Sequence, residues 1–349
     1  MRKNIITTLS MVPALLLALS CEKPVPDTAV STEELIMTID LGKEDTKSGN
    51  YLTEFASERA VLGVEYFIFD SDGRLEAKAS GCGTSAVSVR VSQGTKAVWA
   101  AVNFPSSRFT DILTLSQFEA REVSFADFGT GRFPMSGKKT VAITGTGTAS
   151  VSIPVERFVS RICIAEVRNS LAGSLSGKEM VLRYSFLSNV PGNSKVNGDS
   201  PSSRLWYNRF GRRDGAGQNA VIASSSDASY PSLTFADHDE SWITSNNYEA
   251  PYACMYFFPN PTTSDVTGWS SAFSPRYTRI VNVIEIDGDT YYYPVNIVGA
   301  RRNHAYTLYL TVTHFGTKDP DSLDFVTAQD VTITIGGFDD FDDSLEITY

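Results

Sequence analysis

Apolar and polar residues alternate over short runs along this chain, and that period of two limits its fold more than any other feature. The runs include LIMTIDL (Leu35–Leu41), VEYFIFD (64–70) and YYYPVNI (291–297), and clusters of Gly, Ser, Asn and Asp separate them. Successive side chains of a β-strand point to opposite faces, so this pattern predicts half-buried strands joined by turns, as in a β-sandwich. Helical spacing is almost absent, and we expect one short helix near residues 114–120.

A small, polar segment, RNSLAGSLSGK (168–178), marks a candidate domain boundary. We predict two tandem β-sandwich domains, an N-terminal one over residues 34–172 and a C-terminal one over residues 173–349, since the chain is long enough for two domains of ordinary size. Asp287-Gly288 between two apolar segments supplies residue types that accept positive φ, which predicts a tight hairpin over residues 284–297.

The N-terminus has the pattern of an export signal. Two basic residues precede an apolar run over residues 5–19, which is too short to span a bilayer. The following LALSC (17–21) resembles the bacterial lipobox, whose cysteine becomes the lipid-bearing first residue of the mature protein. We therefore expect a lipoprotein signal peptide over residues 1–20, lipidation of Cys21 and a tether over residues 21–33, so that a lipid anchors the protein to the membrane.

Charge and cysteine count narrow the possible partners and cross-links. The formal net charge of −10 argues against a nucleic-acid partner. With Cys21 lipidated, Cys82, Cys163 and Cys254 remain, and an odd number in an exported protein argues against a disulfide framework. We expect these three cysteines to be buried apolar fillers or free thiols.

No set of residues in the sequence makes a convincing catalytic or metal site. His304 and His314 lie on or beside one strand, about 33 Å apart at 3.3 Å per residue, and His238 lies in a loop-rich stretch where we expect a solvated side chain. SGKK (136–139) matches Ser-x-x-Lys without its companion motifs and is expected to form a turn. FDDFDDS (338–344) lacks the spaced ligands and glycine turn of a calcium loop. We expect no enzyme, no cofactor and no metal.

Five stretches carry a family resemblance. They are VEYFIFDSDGRLEA (64–77), VSQGTKAVWAAVNFP (91–105), GRFPMSGKK (131–139), VERFVSRICIAEV (155–167) and RRNHAYTLYLTVT (301–313). In this order, behind a lipobox, they resemble the fimbrillins, the lipoprotein pilins of Bacteroidales. The resemblance implies two transthyretin-like β-sandwich domains and export to the outer membrane. It also implies that a protease removes the first strand, so that a strand of the next subunit enters the groove and a pilus (fimbrium) grows.

The first strand of this sequence suits such a mechanism. Leu35, Met37, Ile39 and Leu41 fall on one strand face, and burying each is worth about 1.5–3 kcal/mol, or roughly 6–12 kcal/mol in total. That is comparable with the net stability of a domain, about 5–15 kcal/mol. A subunit that loses the strand therefore needs a replacement, supplied by β-augmentation.

The resemblance assigns a cleavage site after this strand. Arg59-Ala60 is the only arginine bond between LIMTIDL and VEYFIFD, and it is the candidate processing site for an arginine-specific protease. Lys43 or Lys47 would serve a protease of different specificity. An exposed arginine at a strand start, without any processing, is the alternative interpretation.

The donor would be the C-terminal tail, residues 329–349. Its apolar residues alternate to the last position, which is unusual for a frayed terminus and suits a strand added to a partner. The alternative is that the tail is the last strand of its own domain. The candidate donor residues are Val331, Ile333, Ile335, Leu345, Ile347 and Tyr349.

The resemblance, together with these patterns, implies a structural fimbrial subunit that supports adhesion. Its expected partners are other fimbrial subunits, the outer membrane through the lipid, and a processing protease. One alternative is an anchor or tip subunit. Another is a surface glycan-binding β-sandwich lipoprotein, whose platform would use the aromatic residues in or near the loop-rich stretch: Trp206, Tyr207, Trp242, Tyr248 and Trp269.

Overall fold

The computed structural model describes residues 35–42, 58, 60–83, 85–128, 132–145, 148–198, 206–207, 232–243, 253–260, 262, 277–318 and 330–337. The strands of the first part are β1 (Leu35–Leu41), β2 (Val64–Phe69), β3 (Leu75–Gly81), β4 (Val87–Val91), β5 (Gly94–Val102), β6 (Glu122–Ser124), β7 (Met135–Ile143), β8 (Thr148–Ile153) and β9 (Glu156–Arg157). Helix α1 (Leu115–Glu119) lies between β5 and β6.

The strands that follow are β10 (Ser160–Asn169), β11 (Met180–Ser188), β12 (Val190–Pro191), β13 (Asn193–Lys195), β14 (Trp206–Tyr207), β15 (Phe235–Ile243), β16 (Ala253–Phe257), β17 (Thr278–Ile286), β18 (Asp289–Ile297), β19 (His304–Val312) and β20 (Asp330–Gly337). Short 3₁₀ turns occur at Phe125–Asp127, Gly173–Leu175 and Ser232–Thr234. No helix among the described residues is long and apolar enough to cross a membrane.

Two sheets enclose the core of the first part. One has the strand order β4-β1-β8 and the other β3-β2-β5-β7-β9. Alternate residues of both sheets form one buried apolar cluster, to which β1 contributes four side chains and β2 contributes Val64, Tyr66 and Ile68. The opposite face of the five-stranded sheet is also buried, because Phe67 and Trp99 pack against Phe118 of α1.

Two four-stranded sheets, β16-β10-β19-β20 and β15-β11-β17-β18, enclose a second core. Its apolar cluster includes Ile162 and Ile164 of β10, Leu182 of β11 and Ile284 of β17. Face-to-face sheets with alternating inward residues are the layout of a β-sandwich. The all-β, sandwich-type fold predicted from the sequence is therefore confirmed, whereas division into two separate domains stays a prediction.

Several local predictions match the structure. α1 lies within residues 114–120 and begins with a capping box, because Thr114 accepts from the Gln117 backbone N–H and the Gln117 side chain accepts from the Thr114 backbone. β17 and β18 form the expected hairpin, and its two turn residues have positive φ, 54° at Asp287 and 85° at Gly288.

The change from one pair of sheets to the other comes earlier than the predicted boundary at residues 172/173. β9 still pairs with β7 of the first part, but β10 pairs antiparallel with β16 and parallel with β19. β10, which lies within the range predicted for the N-terminal domain, therefore belongs to the second pair of sheets. The change falls between Arg157 and Ser160, because the apolar side chains of β10 fill the second core.

The positions predicted for two polar residues, His238 and Ser136, were wrong. His238 was expected in a solvated loop, but it lies on β15 with 1% of its surface exposed, and its Nε2 is 3.0 Å from Ser185 Oγ. Ser136 lies within β7 instead of in a turn, and its hydroxyl donates to the Val196 carbonyl at 3.0 Å. The adjacent Gly137 has no room for a side chain, since a Cβ there would lie 1.9 Å from the Pro154 carbonyl oxygen.

The expectation of free thiols was also wrong. Cys163 of β10 and Cys254 of β16 are directly opposite one another in the antiparallel pair, and their sulfur atoms are bonded. Cys163 and Cys254 are therefore not free thiols. The pairing joins residues 91 positions apart in the sequence, so it depends on a strand register that cysteine counting does not provide.

We expect the double variant Cys163→Ala/Cys254→Ala to unfold at lower denaturant concentration. Loop-closure entropy for a cross-link of this span corresponds to about 3–5 kcal/mol of unfolding free energy. Urea unfolding of the wild type and the variant measures the loss. If both thiols of the unreduced, unfolded wild type react with iodoacetamide, the disulfide is absent and the prediction fails.

Candidate strand-exchange groove

β1 occupies the middle of its sheet although it comes first in the described chain. It pairs antiparallel with β4, with Leu35 opposite Val91, and parallel with β8, with Leu41 opposite Ile153. The parallel partner lies more than a hundred residues later in the sequence. Without β1, the facing edges of β4 and β8 would both present unpaired backbone groups.

The inward face of β1 is almost completely buried. Leu35, Met37, Ile39 and Leu41 are between 0% and 7% exposed and pack into the first core, whereas Ile36 on the other face is 47% exposed. The four side chains assigned to one face from the sequence thus fill a continuous apolar groove. That a protease removes this strand remains a prediction.

The chain is held at both ends of the connection from β1 to β2. At the end of β1, the Gly42 backbone N–H donates to the Ile153 carbonyl at 2.9 Å. Close to β2, the Asn103 side chain donates to the Ala60 carbonyl at 2.7 Å. The candidate cleavage residue Arg59, and the alternatives Lys43 and Lys47, lie outside the described residues.

Glu58, next to the candidate cleavage bond, is fully buried. Its carboxylate accepts from Arg161 Nη1 and from the Tyr256 hydroxyl, each at 2.7 Å. Its backbone carbonyl accepts from Arg157 Nε at 3.0 Å, and Arg157 Nη1 donates to Asn303 Oδ1 at 3.0 Å. We call Arg157, Arg161 and Tyr256 the Glu58 receptor.

The Tyr256 hydroxyl of the receptor stays in its donating form. Burial, and then the adjacent Glu58 carboxylate, raise the pKa of Tyr256 far above its usual range, so its hydroxyl stays protonated and donates. The receptor lies where the chain passes from the first pair of sheets to the second, on β9, β10 and β16. Sequence analysis missed Glu58, because nothing in its local pattern marks a buried acid.

The proposed donor segment is partly used within this chain. β20 pairs antiparallel with β19, and Val331, Ile333 and Ile335 stand opposite Leu310, Leu308 and Tyr306. These three residues pair within their own sheet here, as the alternative interpretation has it, and their use as a donor strand stays a prediction. Leu345, Ile347 and Tyr349 lie outside the described residues.

Other predicted functional residues are only partly described. Cys21 and the tether lie outside the described residues, as do Tyr248 and Trp269 of the suggested aromatic platform. Tyr207 on β14 is half-buried, with its ring 5.8 Å from that of Phe125. Among the described residues, no group of three or more His, Cys, Asp or Glu side chains is placed to hold a metal ion.

The two isoleucines of β1 allow a matched test of the groove. We expect Ile39→Ala to lower the unfolding free energy by about 2–5 kcal/mol, because it opens a cavity in the first core. Ile36→Ala removes the same atoms from the exposed face and should change it by less than about 0.5 kcal/mol. Urea unfolding compares them, and equal effects of the two variants would contradict the burial of Ile39.

Comparison with known proteins gives matches only at the level of structure. No protein-family model matches the chain, and no curated protein sequence matches it. A proposed cell adhesion protein from Bacteroides eggerthii superposes with a TM-score of 0.64 at 18% identity, covering 89% of this chain and 98% of that one. A fimbrilin from Porphyromonas gingivalis superposes with a TM-score of 0.62 at 14% identity, covering 89% and 99%.

A tip fimbrial protein from Porphyromonas gingivalis, solved with a C-terminal truncation, also superposes. Its TM-score is 0.53 at 13% identity, and the match covers 87% of this chain and 99% of that one. These matches extend over nearly the whole length of each solved protein. The chain therefore has the fold of the Bacteroidales fimbrilins and cell adhesion proteins.

Proposed function

We propose that this protein is a structural subunit of surface fimbriae that supports adhesion. It is exported as an outer-membrane lipoprotein anchored through Cys21, loses β1 to a protease, and polymerises by strand exchange with other fimbrial subunits. Catalysis, cofactors and nucleic acid play no part in this proposal. The final location is the fimbrium at the cell surface.

The position of β1 carries the proposal. A terminal strand in the middle of a sheet, bonded on both edges, leaves a complete groove when it is removed. The four buried side chains define apolar sites along that groove, and the edges of β4 and β8 supply backbone donors and acceptors. Main-chain pairing gives such a groove affinity for an incoming strand, and the side-chain sites give it register.

The tail supplies a strand of suitable pattern. Leu345, Ile347 and Tyr349 alternate with polar residues and lie 8 to 12 residues beyond the end of β20 at Gly337. Val331, Ile333 and Ile335 can take part only if β20 leaves β19, since they belong to that pair here. We therefore consider the residues that follow Gly337 to be the main candidates for the donor strand.

Two further observations support export and assembly. Disulfides form and persist outside the reducing cytosol, so the Cys163–Cys254 bond suits an exported protein. Solved proteins of the same fold are described as a fimbrilin and as a tip fimbrial protein. The second description, together with the use of β20 in its own sheet, favours an anchor or tip subunit as the second candidate function.

We expect polymers only from cut protein with a complete tail. The protein without residues 1–21 is treated with trypsin under native conditions, and mass spectrometry establishes which bond is cut. Size-exclusion chromatography and electron microscopy then compare this protein with a version truncated after Gly337, which retains β20. The full-tailed protein should form ladders or filaments after cutting, because its groove is open and its donor segment is present.

Two outcomes limit this proposal in different ways. If an Arg59→Gln variant still polymerises after trypsin, the effective cut lies after Lys43 or Lys47, and the proposal of strand exchange stands. A cut, full-tailed protein that stays a folded monomer contradicts the stalk role and supports an anchor or tip subunit.

A further inference from the structure

The Glu58 receptor is built to hold a carboxylate. Arg161 and Arg157 are 2% and 5% exposed, and the Tyr256 hydroxyl points to the same Glu58 carboxylate as Arg161. Buried guanidinium groups are costly without a nearby negative charge, and removing one partner of a buried ion pair is strongly destabilising. The position of Glu58 therefore favours an anionic side chain over a neutral amide or an alkyl group.

Cleavage at the candidate site would empty this position. Glu58 immediately precedes Arg59, so a cut after Arg59 separates Glu58, together with β1, from the rest of the subunit. This step rests on the proposed function. The receptor donors stay behind, because they belong to β9, β10 and β16.

The strand register brings the tail of the same chain close to the receptor. Arg161 stands beside Ala305, and Ala305 stands beside Gly336. Two steps between neighbouring strands separate Arg161 from Gly336, which is roughly 10 Å. The one intervening position, Ala305, is a small residue in the same row as Arg161, so no bulky side chain separates Gly336 from Arg161 along that row.

The charge of the tail complements the receptor. Residues 338–349, FDDFDDSLEITY, contain four aspartates and one glutamate but no lysine or arginine. Twelve residues can extend about 40 Å, so the tail reaches the receptor with length to spare. Attachment to β20 also gives it a high effective concentration at its own receptor.

We propose that, once Glu58 has gone, an acidic side chain of residues 338–349 enters the Glu58 receptor of its own chain. The tail then replaces Glu58 as the counter-charge at the junction of the two pairs of sheets. Because the same tail carries the proposed donor strand, this contact restrains the donor until a neighbouring subunit takes it. The junction thereby keeps a counter-charge until the subunit assembles.

A double-mutant cycle on the full, uncut chain tests the contact without any need for polymers. Glu58→Ala removes the carboxylate from the receptor. In a second variant, which we call the neutral tail, the four aspartates of residues 338–349 are replaced by Asn and Glu346 by Gln. The neutral tail should lower the urea midpoint of Glu58→Ala and leave that of the wild type unchanged. The coupling should not depend on protein concentration, because the tail and receptor share one chain.

A matched tail variant separates charge from strand donation. Leu345→Ser/Ile347→Ser retains the acids, so it should keep the coupling to Glu58→Ala while losing polymer formation. If the neutral tail changes the urea midpoint equally in the wild type and in Glu58→Ala, the proposal is overturned. A coupling that appears only at high protein concentration would also overturn it, because the acid would then come from a second copy.

Assembly kinetics give a second test that needs no substitution at position 58. Trypsin-cut protein with the neutral tail should polymerise about tenfold faster than cut wild type, because losing hydrogen bonds to charged groups frees the donor. A slower or unchanged rate would contradict restraint by the chain's own tail. Absence of polymers from both cut proteins would contradict the proposed function, and the urea cycle would still decide the present inference.

Discussion

The placement of β1 between β4 and β8 is the constraint on which the rest of the molecule depends. β1 pairs with β4 on one side and with β8 on the other, so it holds the three-stranded sheet together. Its Met37 and Ile39 are fully buried and pack in the core against the five-stranded sheet. A single stretch of chain joins β1 to β2. One cut in that stretch therefore separates β1, with its large contribution to the core, from the strands that follow. Under the proposed function, the same contacts that complete the fold would define a site for a replacement strand. Stability and assembly would then both depend on one strand pairing.

The junction between the two pairs of sheets ties that connection to the second half of the molecule. Glu58 contacts β10 and β16 through its carboxylate and β9 through its backbone carbonyl. The segment 301–303 adds polar contacts here. Arg302 Nη2 donates to the Glu156 carbonyl at 2.7 Å, and the Asn303 side chain accepts from Arg157. Removal of the N-terminal segment would thus alter a polar centre shared by both halves, in addition to the apolar groove.

Features that depend on neighbouring residues could be predicted from the sequence, whereas features that depend on strand partners could not. The period of two identified β1, the short helix was expected near residues 114–120, and Asp287-Gly288 suited a tight turn. The sheet to which β10 belongs and the Cys163–Cys254 bond follow from pairings across long stretches of chain. The burial of His238 and Glu58 has the same origin, because buried polar groups are satisfied by partners that only the tertiary fold brings close. The groove could therefore be foreseen from β1, but the receptor beside the cleavage bond could not.

The position of the cut decides what kind of subunit processing produces. Cleavage after Lys43 or Lys47 would detach β1 and leave Glu58 attached to β2, so the groove would open while the junction stayed intact. Cleavage after Arg59 would open the groove and also take the counter-charge from Arg161 and Tyr256. The product of cleavage after a lysine would differ from the intact protein mainly in the apolar surface that it buries. The product of cleavage after Arg59 would also lack the buried carboxylate of Glu58. Because a buried guanidinium tolerates the loss of its carboxylate poorly, another acid at the junction would stabilise the second product. Processing at Arg59 would therefore couple the release of β1 to the proposed contact of the tail, and processing at either lysine would not.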